Sequence, residues 1–293
     1  MFKGSIPALV TPMRADGSID FDAWDRLLEF HAAAGTDAVV VGGTTGESPV
    51  LERAELGELV RRAAKRLSGR MPVIAASGTN GTAKSVALSK MAKDAGADAL
   101  LVVTPYYNRP TQDGLRLHFT AIADEVDLPL IAYNVPSRTA CDMLADTVAR
   151  LSEHPRIVGI KEATGDVARG AEILRTARPG FLLISGDDAT AADLMKVGGR
   201  GVISVTANVV PAAMHELCAA ALAGDHGDAA RINAKLATLH DALFVEANPI
   251  PVKWCVSRMG LIEPAIRLPL TQLSASRRPE LEAAMRSAGV KLD

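Results

Sequence analysis

The stretch "RIVGIKEATGD", residues 156 to 166, carries a lysine, Lys161, at the end of a short apolar run that reads as the inside of a sheet. An ammonium withdrawn from water without a partner is costly or gives up its proton, so a lysine in that place calls for a chemical reason. A primary amine attacks a carbonyl only when neutral, and at an ordinary pKa of about 10.4 only about 0.04% is neutral at pH 7. Apolar burial that lowered the pKa by about 3 would make a substantial fraction reactive. Ile157, Val158 and Ile160 offer such burial, and Schiff-base formation with a 2-oxo acid is the chemistry that follows. The plainer alternative is a lysine that snorkels to the rim of a sheet or pairs with Glu162.

Dehydrating a carbinolamine requires proton transfer, yet none of the six histidines (His31, His118, His154, His215, His226, His240) stands at the end of an apolar run. All three tyrosines do: Tyr106, Tyr107 and Tyr133. A phenol with a pKa of about 10 can pass a proton along a hydroxyl chain without holding charge, although tyrosines at a rim also serve for packing or for contact with another subunit. "GGTTGES" adds a glycine turn and two hydroxyls, Thr44 and Thr45, ahead of a helix expected to begin with Ser48 as cap and Pro49 in first position, an arrangement suited to a carboxylate. "GTNGTAKS", residues 78 to 85, falls one residue short of a phosphate-binding loop because Ala83 replaces its last glycine, and it is read as a decoy. No HxxxH or HExxH spacing indicates a metal, and Asp187 and Asp188 are expected to hydrogen-bond the turn after their own strand.

The elements that must position these groups are repetitive. The runs "SIPALVTP", "DAVVVGGTT", "PVIAASGTN", "ALLVVTPYY", "LPLIAYNVP", "RIVGIKEAT", "FLLISGDD" and "GVISVTAN" are continuously apolar, as strands buried on both faces should be. Helical spacing fills the intervals. In "DFDAWDRLLEFHAAAG", Asp20 or Asp22 can cap, Phe21, Trp24, Leu27, Leu28 and His31 share a face, and Gly35 terminates. "AAAGTDAVVVGGT" resembles "KDAGADALLVVTP", with "KVGGRGVISVT" a looser copy. About eight such units of roughly 25 to 30 residues predict an α/β fold, a (β/α)8 TIM barrel, over residues 1 to 224, with a helical region over 225 to 293 interrupted at "NPIPVKW". An open doubly wound sheet is the competing architecture. In a parallel barrel, chemistry collects at the C-terminal ends of the strands. Here those ends carry Thr44, Thr45, Asn80, Tyr106, Tyr107, Tyr133, Lys161, Gly186 and the segment from Ile203 to Asn208.

Composition narrows the partners. The 293 residues are 48% hydrophobic and 23% charged, and 32 basic against 34 acidic residues leave no one-sign patch for nucleic acid or a membrane surface. Cys141, Cys218 and Cys255 form no CxxC pair, which fits a reducing cytoplasm rather than a disulfide framework or zinc cluster. "MFKGSIPALVTP" is too short an apolar stretch for a signal or membrane segment, so the mature chain is expected to start here, in a strand.

The motifs "GTTGE", "TPYYNRP", "YNVPSRT", "GIKEATGD", "SGDD", "GVISVTANV" and "NPIPVKW", taken together and running essentially end to end, resemble the dihydrodipicolinate synthase family of the pyruvate-dependent lyases and aldolases. The resemblance implies condensation of pyruvate with L-aspartate 4-semialdehyde in lysine (diaminopimelate) biosynthesis. It implies a Schiff base on Lys161, a proton relay of Thr44, Tyr133 and a Tyr107 reaching across a tight dimer, and no metal or nucleotide cofactor. By the same resemblance Thr45 holds the pyruvate carboxylate, carbonyls of Gly186 and Ile203 orient lysine and intermediate, and Arg138 clamps the carboxylate of the second substrate, a use that suits its forked guanidinium. N-acetylneuraminate lyases and 2-keto-3-deoxy sugar acid aldolases share the lysine and tyrosine; this chain keeps the "PSRT" run that they lack. A homotetramer, a dimer of dimers, is the assembly implied. Where lysine-inhibited members have an effector pocket, this chain has Ser48, Asn80 and Tyr106 in common with them but Arg53, Leu56 and Lys84 in place of two histidines and a glutamate. An ammonium effector would lose its carboxylate partner and meet like charge, so the sequence predicts little or no inhibition by lysine.

Overall fold

The computed structural model describes residues 2–292. The eight apolar runs form eight strands: β1 (Gly4–Pro7), β2 (Val39–Val41), β3 (Val73–Ala76), β4 (Ala99–Val103), β5 (Leu130–Asn134), β6 (Ile157–Glu162), β7 (Leu182–Ser185) and β8 (Gly201–Ser204). Between them lie α1 (Phe21–Ala33), α2 (Arg53–Leu67), α3 (Thr82–Asp94), α4 (Gln112–Glu125), the single-turn α5 (Pro136–Thr139), α6 (Ala145–Ser152), α7 (Val167–Thr176) and α8 (Ala191–Lys196). After β8 come α9 (Pro211–Leu222), α10 (His226–Ala242), α11 (Ile250–Arg258) and α12 (Arg278–Ser287).

All pairings between these strands are parallel, in the order β1-β8-β7-β6-β5-β4-β3-β2. A parallel bridge from Ala8 to Val40, with Leu9 N donating to Val40 O at 3.0 Å, joins β1 to β2, so the sheet closes as the repeat predicts. Alternate residues take opposite faces. Ile6, Val40, Ile74, Leu101, Ile131, Ile184 and Ile203 fill the inside, whereas Val39, Val41, Leu100, Val102, Leu130 and Leu183 meet the helices. This double burial is the reason the strand sequences read as unbroken apolar runs.

At the start of α1 it is Asp20, not Asp22, that caps, accepting from Asp22 N and Ala23 N at 3.1 and 3.0 Å; Gly35, at φ +79°, ends the helix. The expectation for Ser48 is corrected. Ser48–Val50 is a separate 3-10 turn, Leu51 is extended, and α2 begins at Arg53 behind a capping box made by Glu52 and Glu55. Pro49 suits the first position of any helical turn, so the sequence signal was correct for the wrong helix.

The boundary expected at residue 224 falls in the short turn between α9 and α10. Beyond it, Leu239, Leu243, Val252, Val256, Leu281 and Met285 join the apolar cluster of the barrel's outer face. A buried polar link ties this region to the barrel: Lys253 of α11 pairs with Glu47 of the β2–α2 turn, both side chains almost wholly buried, and the second Glu47 carboxylate oxygen accepts from Arg267 N at 3.0 Å. No helix among the described residues is long and apolar enough to cross a membrane. Lys253→Met should lower stability by about 3–5 kcal/mol, because Glu47 is left charged and uncompensated, while Glu47→Gln combined with Lys253→Met should recover most of that loss. Urea midpoints check this; equal losses in the single and double variants would contradict it.

Candidate active site

Strands β5 and β6 run in register with Tyr133 opposite Lys161, which brings the lysine Nζ to 4.2 Å from the centroid of the Tyr133 ring. Lys161 is buried, and its pKa falls from the ordinary 10.5 to about 7. Burial is the main cause; the Asp188 carboxylate opposes it and the Arg138 guanidinium adds to it. Such a shift represents on the order of 4 kcal/mol of unfavourable free energy held in the folded state at neutral pH.

The surroundings of the amine correct the sequence reading. Ile157 and Ile160 lie on the outer face of β6, packed toward the helices: alternation sends Ile160 opposite to Lys161, and a β-bulge at Val158 turns Ile157 the same way while Val158 itself packs on the inner cluster. The dry environment comes instead from the inner face, from Tyr133, Ile184 and Ile203. Glu162, the alternative partner of the lysine, also points outward: it accepts from Asn134 Nδ2 at 3.1 Å and from Thr164 N at 2.9 Å, with Arg169 Nε at 3.5 Å. Gly186 is required by space, since a Cβ there would lie 2.9 Å from Lys161 Cε and 2.5 Å from Ala163 Cβ.

Tyr133 is buried, and burial raises its phenol pKa; the Arg138 charge and a hydrogen bond with Thr44 pull in the other direction. The phenol therefore stays protonated at neutral pH. Thr44 belongs to the β2–α2 turn, folded by Gly46 N and Ser48 N donating to Gly43 O at 3.0 and 3.2 Å and by Thr11 Oγ1 donating to Gly46 O at 2.7 Å. Next to it, buried Thr45 accepts at Oγ1 from Asn248 Nδ2 at 3.0 Å, and the Asn248 carbonyl accepts from Arg138 at 3.5 Å. The single chain thus gathers Lys161, Tyr133, Thr44, Thr45, Gly186 and Ile203, with Arg138 on exposed α5 at the edge of the group. It does not bring in Tyr107, which follows β4 at φ 73° with 89% of its surface exposed.

Ser48, Arg53, Lys84 and Tyr106 are exposed on the β2, β3 and β4 ends of the barrel, and Asn80, half-buried, has its carbonyl bonded by Asn108 Nδ2 at 2.8 Å. Leu56 is buried, its side chain beneath Gly42. Asp187 holds its own turn, accepting from Thr190 N at 2.9 Å as expected. Asp188 departs from that expectation: it reaches across to β8, accepting from Val205 N and Thr206 N at 2.9 and 3.0 Å. "GTNGTAKS" closes on itself, with Thr79 N donating to Ser85 Oγ at 2.8 Å. No group of metal-ligating side chains occurs among the described residues. Sequence reasoning missed Asn248 and the charge of Asp188 near the lysine. Both lie in quoted motifs, but spacing alone does not say which strand end a side chain will reach.

A sequence profile of the Dihydrodipicolinate synthetase family matches residues 1–288. The chain is 58% identical over 290 residues to the 4-hydroxy-tetrahydrodipicolinate synthase of Stutzerimonas stutzeri, covering 99% of each, and 56% identical over 290 residues to that of Methylococcus capsulatus, covering 99% of this chain and 100% of the relative. Among solved structures it superposes on the chloride-inhibited dihydrodipicolinate synthase of Acinetobacter baumannii complexed with pyruvate, with a TM-score of 0.98, 49% identity, and 99% and 100% of the two chains covered.

Lys161→Met should stabilise the fold by on the order of 4 kcal/mol near pH 6, because it removes an amine that the unfolded chain protonates more readily. The folded pKa lies below the unfolded one, so the penalty is complete below pH 7 and fades as pH rises toward 10.5. Urea midpoints of the two proteins should therefore converge with rising pH; a gap independent of pH would show that the lysine is not dry.

Proposed function

Because this chain belongs to the dihydrodipicolinate synthetase family of lyases, we propose that it condenses pyruvate with L-aspartate 4-semialdehyde through a Schiff base on Lys161. One observation carries the reading: a buried amine with a pKa of about 7, packed on a phenol that is itself hydrogen-bonded to a threonine. The Acinetobacter relative's pyruvate complex supports the first substrate.

In this reading the Nζ lone pair attacks C2 of pyruvate, and the carbonyl oxygen, protonated through Tyr133, leaves as water. Loss of a C3 proton gives the enamine, whose carbon attacks the aldehyde while the aldehyde oxygen takes up a proton. The amine of the second substrate then adds to C2 and expels Lys161 as the ring closes, so one water is released overall. Thr44 returns protons to Tyr133, Thr45 holds the pyruvate carboxylate, Gly186 and Ile203 orient the lysine and its adducts, and Arg138 binds the second carboxylate. No metal or nucleotide takes part. The exposure of Tyr107 suits completion of the relay by a second copy in a tight dimer, within a dimer of dimers. We place the reaction in the cytoplasm, in amino-acid biosynthesis, where three buried, unpaired cysteines are at home.

Borohydride reduction with pyruvate should add the mass of the reduced adduct to the peptide containing Lys161, and Lys161→Arg should abolish both labelling and turnover. Tyr133→Phe should lower kcat about 10²–10⁴-fold with labelling slowed. Turnover of pyruvate and aspartate semialdehyde should far exceed cleavage of sugar acids; the reverse preference would sink the assignment. The trapping rate should rise with pH, half-maximal near 7 where the amine loses its proton.

Regulation follows the same electrostatic reasoning. Arg53 opens α2 and Lys84 lies in the first turn of α3, both exposed, as are Ser48 and Tyr106, while Asn80 is half-buried. Two cations there repel a lysine side chain, and no carboxylate replaces the missing one. Millimolar lysine should leave the rate unchanged within about twofold, since like-charge juxtaposition costs affinity; strong inhibition would refute this.

A further inference from the structure

The segment from Asn248 to Lys253 touches the β2–α2 turn twice, through Asn248 to Thr45 and through Lys253 to Glu47, and it also receives Arg138 at the Asn248 carbonyl. A threonine hydroxyl has one proton to give and lone pairs that accept. Asn248 Nδ2 donates to Thr45 Oγ1, so one lone pair is occupied and the hydroxyl proton must point elsewhere. With the amide turned over, its oxygen would face Thr45 and capture that proton. In the observed orientation Asn248 Oδ1 is buried without a partner. Its anchors are firm: Thr45 is 2% and Asn248 6% exposed, and the Lys253–Glu47 pair holds the helix that follows against the turn that precedes.

We propose that Asn248 is a positioning residue for the 2-oxo acid: its side-chain N–H fixes the Thr45 hydroxyl as a donor to the substrate carboxylate. The inference rests on the reading that Thr45 binds that carboxylate. The role is one of selectivity, favouring ketones that carry an adjacent anion. Through its backbone carbonyl the same residue steadies Arg138, but that contact survives replacement of the side chain, so the two substrates separate in the test.

Asn248→Ala should raise the KM for pyruvate about tenfold, with the KM for aspartate semialdehyde and kcat at saturation changed by less than about threefold. Asn248→Asp, the same shape, takes the Thr45 proton and adds a repelling charge, so its pyruvate KM should rise further; it also serves if the alanine variant fails to fold. Borohydride trapping of hydroxyacetone, which lacks the carboxylate, should proceed at the wild-type rate in both. In a Thr45→Val background, Asn248→Ala should have no additional effect. Equal rises in both KM values, an unchanged pyruvate KM, or additivity with Thr45→Val would overturn the proposal. If Thr45→Val alone leaves the preference for pyruvate over hydroxyacetone intact, it is the Thr45 reading that fails, and Asn248 falls with it.

Discussion

Keeping one amine away from water is the constraint around which the barrel is arranged. Lys161 can be held dry only because it stands on the inner face of β6, with Tyr133 on one neighbouring strand and Ile184 on the other, above a filled interior. That interior is a packed core rather than a channel, so solvent reaches the amine only from the open mouth. The charges nearby are set against each other. Burial lowers the amine's pKa, Asp188 draws it back up and Arg138 adds to the fall, and the result lies at about 7.

The turn that carries the two threonine hydroxyls is held by buried polar contacts. The turn carrying Thr44 and Thr45 is short and contains a non-glycine residue, Glu47, at φ 61°, a conformation that side chains adopt only when the surroundings enforce it. Here the enforcement is visible: the Glu47 carboxylate is gripped by Lys253 and by the backbone at Arg267, whose guanidinium in turn holds Glu55 and the Val50 carbonyl. The helical region after the barrel is therefore part of the site's framework.

The architecture was almost fully legible from the sequence, because a parallel barrel writes itself as apolar runs separated by helical spacing, and Lys161 stood out as the one amine at the end of such a run. Its burial was legible, but not all of its source: Ile157 and Ile160 looked like its shell until alternation, interrupted by a bulge at Val158, placed both on the far side of the strand. Turn chemistry was read only in part, since Pro49 announces a helical turn without saying which one, and Glu52, an unremarkable acid in the sequence, turned out to cap α2. Asn248 and Asp188 were beyond reach for a different reason. Each acts on a strand end remote in the chain, and nothing local to either residue encodes that destination.

That remoteness has a consequence for how the enzyme is made. Thr45 and Asn248 are 203 positions apart, Glu47 and Lys253 206, and Asn208 ties itself to Ala8 and Val10 across a comparable distance. A nascent chain emerging from the ribosome can complete all its strands while the reactive centre is still unfinished. The turn that carries Thr44 and Thr45 gains these two anchors only when α11 has been synthesised and has docked, so a translation product cut short before it would possess the lysine beside a turn lacking both.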